Sequence, residues 1–353
     1  MKAPAAALAL ALALAACADG ERDDAREDPG DVESAEPEPD EPETDEEEDE
    51  PEPEEPEVDP AEVGADELGQ IPVLMYHQLR DDGGSDFDMT PEEFRSELEF
   101  LFDEGYVPIT TLQLARGEID VPAGKSPVVL TFDDSTRSQA YLDDDGEIAE
   151  DTSMGILIDV AADYDDVEPV ASVYVISGSL FGGQEDGEEI LAALHEAGME
   201  IGNHSHTHPN LSSLGDDEVR EELGRNVDVV TSIVDDAEVA TLSLPLGLFP
   251  NDESLAVSGE WESTGYEHDG VLLVGYNPAP SPFDADFDPA AIPRIQTNVD
   301  PEFQFGSAWW LRALEDGSNV RRYVSDGDPD RISFPEEVEE ELAEEHADRA
   351  NPY

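Results

Sequence analysis

From residue 70 onward the chain alternates short, almost wholly apolar runs with longer segments of helical periodicity. The strand-like runs are IPVLMYH (71–77), SPVVLTFDD (126–134), PVASVYVIS (169–177), MEIGNH (199–204), VATLSLP (239–245), GVLLVGY (270–276) and AIPRIQT (291–297). Runs without polar alternation belong to strands covered on both faces, which is the condition of a parallel sheet between helices. The intervening segments supply those helices. TPEEFRSELEFLFDEG (90–105) opens on Thr90 with Pro91 and Glu93 behind it, a capping box. SMGILIDVAADY (153–164), EEILAALHEAG (188–198) and EVREELGRNVDVVTSIV (218–234) continue the pattern. Seven strands in roughly 285 residues predict an α/β fold that closes as an irregular (β/α) barrel of about seven parallel strands. A doubly wound open sheet is the alternative. QAYLDDDGEIAED (139–151) reads as a hairpin forming a flap beside TFDD, and segments 301–317 and 335–349 as C-terminal helices.

Residues just past the C-terminal ends of barrel strands converge on one face, where active sites are built. On this map those positions hold His77, Asp133, Asp134, His204, His208, Pro245, Gly247 and Arg294. The stretch HSHTH (204–208) concentrates three of the seven histidines, and its outer pair, four apart, would share one side of a helical turn. One carboxylate with His204 and His208 makes a three-ligand site with an open position, the pattern of catalytic rather than structural zinc. A second carboxylate is left over as a general base. His206, between the ligands, reads as a hydrogen-bonding residue, and Trp309 and Trp310 as packing.

TFDD (131–134) and HSHTH, in this order and context, resemble the first two motifs of the polysaccharide deacetylases, carbohydrate esterase family 4. The resemblance spans about residues 71–300. It implies Asp133 as the base and Asp134, His204 and His208 as ligands of a divalent metal, zinc by default, with cobalt, nickel or manganese as alternatives. The family's third motif appears as SLPLG (243–247), with Ser243 where an arginine is expected and with Pro245, Leu246 and Gly247 in place. The Leu246 amide would then help hold an oxyanion. PVLMYH (72–77) resembles the branch acting on poly-N-acetylglucosamine, which implies Tyr76 at the substrate and His77 as general acid. Arg294 is a candidate to replace the charge missing at Ser243. The implied activity is hydrolysis of N-acetyl groups on an N-acetylglucosamine-containing polysaccharide. A catalytically inactive carbohydrate-binding relative and an O-acetyl esterase are the alternatives.

MKAPAAALALALALAAC (1–17) has the form of an export signal, and its end resembles a bacterial lipobox. Cys17, the single cysteine, would carry the lipid that holds an exported protein to the membrane. Residues 19–68 contain 27 acids, two arginines and eight prolines, a composition that cannot bury enough apolar surface to fold. Residues 17–68 therefore read as an acidic tether between the signal (1–16) and a domain at 69–353. That domain still carries 64 acids against 13 basic residues, which suggests a surface adapted to concentrated salt. Such a balance, with no basic patch, excludes nucleic acid as a partner. A monomer is expected.

Overall fold

Every residue of the run Ser126–Phe132 is buried, as a strand sandwiched between two layers requires. The computed structural model describes residues 58–353 except 86, 318 and 319. The signal, Cys17 and the tether up to residue 57 lie outside the described residues. The sheet comprises β1 (Val73–Tyr76), β2 (Tyr106–Ile109), β3 (Ser126–Phe132), β4 (Ser172–Val175), β5 (Glu200–Asn203), β6 (Thr241–Ser243), β7 (Gly270–Leu272) and β8 (Ile295–Gln296). All pairings are parallel, in the order β7–β6–β5–β4–β3–β1–β8, and β2 lies along the first half of β3. The two ends of this path meet. Leu273 donates to the carbonyl of Ile292 (2.9 Å) and Ile292 donates to that of Val271 (2.9 Å). Ile292 stands three residues before β8, so β7 and β8 are joined through one short stretch that Pro293 interrupts. This is the expected irregular barrel of seven parallel strands, with β2 as an addition outside the ring. The sequence reading passed over β2 because Pro108, which cannot donate to a ladder, stands inside it.

Alternation along the strands sorts side chains into two faces. Leu74, Tyr76, Leu130 and Phe132 pack into the layer beneath the helices, whereas Val73, Val129 and Tyr174 belong to a second cluster. Thr131 and Asp133 follow Val129 at intervals of two and so share its face, inside the barrel. A Cβ added at Gly202 would fall 2.3 Å from the Tyr174 ring, so that position is glycine because the Tyr174 ring occupies its space. The helices α1 (Pro91–Asp103), α3 (Ser153–Ala161), α4 (Gly187–Glu196) and α5 (Asp216–Ile233) match the expected segments, α1 carries the Thr90–Glu93 capping box, and the short α2 (Thr111–Arg116) is an addition to them. The hairpin also forms, with Leu142 bridged to Ile148.

Three expectations need correction. In place of a C-terminal helix over 335–349 there are only 3₁₀ turns, Glu336–Glu341 and Glu344–His346. Acid repeats at helical spacing repel one another, and Val338 and Leu342 turn inward instead. Within 301–317 the helix is shorter than expected, α6 (Ser307–Asp316). The domain also begins earlier than 69. Pro60–Val63 forms a helical turn capped by Asp59, and Ala65, Glu67 and Leu68 are buried. Acidic composition made this stretch look like tether, but its acids are used internally.

Glu67 accepts hydrogen bonds from the Ser333 amide (2.7 Å) and the Tyr323 hydroxyl (3.2 Å), pinning the domain's first residues to its last. Burial, with Asp326 nearby, pushes its carboxyl up to about 7 despite these donors. A folded-state pKa above the unfolded value of 4.5 means that the native protein binds the extra proton between those limits. Stability is therefore lost as pH rises from about 4.5 to about 7. Glu67→Gln should remove that dependence. The difference in unfolding free energy between variant and parent, measured by urea titration, should grow by up to about 3 kcal/mol across the window.

Candidate metal centre and active site

Asp134 follows β3 in a sharp turn, with left-handed backbone at Asp134 (φ 76°) and Ser135 (φ 41°). This turn aims the Asp134 carboxylate at two imidazoles. Its Oδ1 lies 3.4 Å from Nε2 of His204 and 3.4 Å from Nε2 of His208. Such spacings are the edges of a tetrahedron with bonds of about 2.1 Å, the length of metal–nitrogen and metal–carboxylate bonds to zinc. Burial would lower the His204 pKa, yet the charges of Asp133 and Asp134 raise it, so the cluster presents a negative field to a cation. The donor set, its spacing and its field fit a divalent metal. His204 is buried, while Asp134 and His208 keep 30% and 28% of their side-chain surface, so the cluster is open on one side.

The histidine loop is not a helical turn. Ser205 (φ 63°) and His208 (φ 56°) both take left-handed backbone, and this reversal, rather than helical spacing, brings the two rings within 4.8 Å. Such conformations cost on the order of 1–3 kcal/mol each and persist only where neighbours enforce them. The enforcing contacts are visible. The Ser205 amide donates to Asn203 Oδ1 (2.8 Å), and the His208 amide donates to Ser205 Oγ (2.9 Å). Asn226, fully buried on α5, donates through Nδ2 to the carbonyls of Val175 (2.7 Å) and Ser205 (2.8 Å). Glu222, one turn earlier, accepts from the Thr207 amide and hydroxyl, each at 2.7 Å. The ring of His206 turns aside to Ser177 (2.9 Å), as a hydrogen-bonding residue. His204 Nδ1 lies 2.8 Å from the Ser243 carbonyl, to which it donates, which leaves Nε2 for a metal.

Sequence reading missed Asn226 and Glu222. Their signal was a polar residue on the inward face of α5, among Val219, Leu223, Val227 and Val230. Asn226→Ala should leave the loop's strained backbone unsupported and weaken zinc affinity by about 10–100-fold in a chelator competition.

Asp133 lies inside the barrel beside this cluster, 2% exposed. Arg294, which is wholly buried, donates from NH1 to its Oδ1 (2.8 Å) and from NH2 to its Oδ2 (2.7 Å). The Ser243 hydroxyl adds a third donor to Oδ2 at 3.0 Å. Arg294 is itself fixed by Nε to the Leu273 carbonyl (2.8 Å) and by NH1 to Thr131 (3.2 Å). Burial alone would raise the Asp133 pKa, but the charge and hydrogen bonds of Arg294, with the His204 charge, hold it far below the usual carboxylate range. Arg294 and Ser243 thus meet at one carboxylate, from opposite sides of the ring's closure.

His77 follows β1 with its ring 5.3 Å from that of Phe87 and its Nδ1 buried without a partner. Burial lowers its pKa against the pull of Asp133 and Asp134. Gln139 at the root of the hairpin ties this loop to the next, donating to the carbonyls of His77 and Asp133 at 2.6 Å each. Tyr76 is placed differently from expectation. Strand alternation sends it to the helix layer, where it is 2% exposed, stacks on Phe132 and donates to Glu97 (2.7 Å), so it has no surface for a substrate. Pro245, Leu246 and Gly247 form a tight turn after β6, with Leu246 left-handed (φ 60°) and 59% exposed. Trp310 is packing, 8% exposed.

Residues 120–264 match the polysaccharide deacetylase family. No curated protein matches the chain by sequence. Among solved structures, the fold is similar to the deacetylase PplD of Streptococcus pyogenes, solved with acetate, at 20% identity and a TM-score of 0.50, over 66% of this chain and 95% of that one. It is similar also to IcaB of Ammonifex degensii at 17% identity and a TM-score of 0.50, over 69% of this chain and 98% of that one. The stretch that holds Asp133, Asp134, His204 and His208 is thus the stretch that matches the polysaccharide deacetylases, on a fold shared with solved deacetylases.

Proposed function

We propose that the protein is a metal-dependent polysaccharide deacetylase that hydrolyses N-acetyl groups on an N-acetylglucosamine-containing polymer. The observation that carries this reading is a buried, ionised Asp133 clamped by Arg294 beside an open Asp134–His204–His208 cluster. A purely structural metal site has no need of a second carboxylate fixed next to it. Asp134, His204 and His208 would hold the metal, zinc by default, which supplies a water acidified toward about 7 and polarises the acetyl carbonyl. Asp133 accepts the proton of the attacking water. It is a weak base, but at any working pH it is in the form that accepts, and Arg294 fixes the direction from which it does so. The Leu246 amide, on its left-handed turn, stabilises the developing oxyanion. His77, at the end of β1 beside this cluster, gives a proton to the departing amine. Ser243 in the third motif, the departure that favours a non-catalytic reading, is compensated by Arg294 reaching the same carboxylate from the other side.

The export signal and an acylated Cys17 complete the proposal, placing the domain outside the cell on an acidic tether in concentrated salt. No helix among the described residues is long and apolar enough to cross a membrane.

The test is acetate release from N-acetylglucosamine oligomers by a 58–353 fragment, with zinc and after chelation. Release that stops on chelation and returns with zinc is the expected result. Release indifferent to chelation would defeat the metal assignment, and no release from a zinc-loaded fragment would defeat the activity.

A further inference from the structure

We propose that His268 is a positioning residue for the metal cluster: through Asn203 it holds the chain reversal that brings His204 and His208 together. The proposal rests on the reading of Asp134, His204 and His208 as metal ligands and is independent of the substrate.

His268 follows an antiparallel hairpin, Ser258–Trp261 with Thr264–Glu267, that stands between β6 and β7. The hairpin lies against α5. A Cβ added at Gly224 would fall 2.6 Å from that of Trp261, and Thr264 donates to Asp228 (3.1 Å). The backbone beyond it is fixed as well, since the His268 amide donates to the Val257 carbonyl and the Asp269 amide to that of Ala240, at 2.7 Å each. The imidazole is therefore delivered to one place, where it is 3% exposed and stacks on the Tyr266 ring at 5.3 Å.

Each ring nitrogen has its own partner. Nδ1 lies 2.6 Å from the Ala256 carbonyl, which can only accept, so Nδ1 carries the proton. Nε2 is then an acceptor, 3.3 Å from Asn203 Nδ2. The other end of the Asn203 amide agrees, because Oδ1 accepts from the Ser205 amide at 2.8 Å. The second hydrogen on Nδ2 goes to the Leu223 carbonyl of α5 at 3.0 Å. Asn203 is wholly buried, the last residue of β5 and the neighbour of His204. Turned over, its amide would set Nδ2 against the Ser205 N–H, donor to donor. His268 thus completes the bonding of the side chain that holds the Ser205 amide in its left-handed turn.

Packing alone does not ask for an imidazole here. An apolar side chain would fill the space beside Tyr266 with no polar atoms to desolvate. Burial is severe enough to hold the His268 pKa down to about 4. The ring therefore stays neutral wherever imidazoles bind metal, and Nε2 keeps its lone pair for Asn203. Asn226 and Glu222 secure the Ser205 carbonyl and Thr207, so His268 adds the support at the start of the same reversal.

The experiment compares the full chain with His268→Asn, His268→Gln, Asn203→Ala and the His268→Asn/Asn203→Ala double variant. Zinc affinity is read by chelator competition, and amide hydrogen exchange at Ser205 is read in the metal-free proteins. Asparagine keeps a donor where Nδ1 stood and loses Nε2, so zinc should bind about tenfold more weakly and Ser205 should exchange faster. Glutamine reaches Asn203 with an oxygen where Nε2 stood and should retain most of the affinity. A residue that only fills space would give the opposite or no order between the two. Because His268 acts through Asn203, the double variant should bind zinc no more weakly than Asn203→Ala. Equal losses in His268→Asn and His268→Gln, additive losses in the double variant, or parental affinity in His268→Asn would each overturn the proposal while leaving the metal site standing. A parent that binds no zinc would overturn both.

Discussion

Arg294→Met is expected to lower kcat/KM for acetate release by about a thousandfold and to destabilise the domain by about 3–5 kcal/mol. Both effects come from one carboxylate. Arg294 donates to both oxygens of Asp133, and both residues are buried. Without the guanidinium, burial is left to act against the charge, and Asp133 takes up a proton. A protonated Asp133 no longer accepts one from the attacking water. Arg294→Lys keeps the charge but loses the planar fork and its bond to Leu273, so an intermediate loss is expected. Adding Ser243→Arg to Arg294→Met moves the guanidinium to the strand where the third motif would carry it, and should recover part of the lost activity. Wild-type rates in both single variants would show that Asp133 works without the clamp. The pH dependence of kcat/KM gives a second readout, because an Asp133 released from Arg294 should bring an acid limb into the working range.

What could be read from the chain ahead of the structure follows from how local each cause is. The seven ring strands were legible because burial on both faces leaves an unbroken apolar run, visible without knowing any partner. The Thr90–Glu93 cap was legible because all its atoms lie within one turn. Asp134, His204 and His208 were legible as candidates because acids and imidazoles at strand ends are scarce. The way the histidines meet was not. Their approach depends on left-handed backbone at Ser205 and His208, and that is held by Asn226 and Glu222 on a helix nearly twenty residues further on. The ion pair of Asp133 with Arg294 joins residues 161 positions apart, so only the order of strands around the ring reveals it. Composition misled where acids serve internally. Glu67 looked like tether and proved to be buried against Ser333. Residues 335–349 looked helical from their glutamates, although with so many like charges at helical spacing the inward pull of Val338 and Leu342 decided the outcome.

Asp133→Asn should reduce acetate release by a thousandfold or more, at the upper end of what a general base contributes, while zinc still binds. The substitution is nearly isosteric, and His204 and His208 keep their own supports in Ser243, Ser205 and Asn226. It does leave Arg294 buried without its counter-charge, so a fall in stability of about 3–5 kcal/mol is expected beside the loss of activity. Activity and stability can be separated by removing both charges. A buried ion pair is seldom worth more to folding than apolar groups of the same volume. Asp133→Leu with Arg294→Met should therefore unfold later than either Asp133→Asn or Arg294→Met, yet release no acetate. A stable, zinc-loaded, inactive double variant would mean that the pair is maintained for chemistry. Acetate release surviving in Asp133→Asn would move the base to another residue, and Arg294 would then be a structural cation rather than a positioning one.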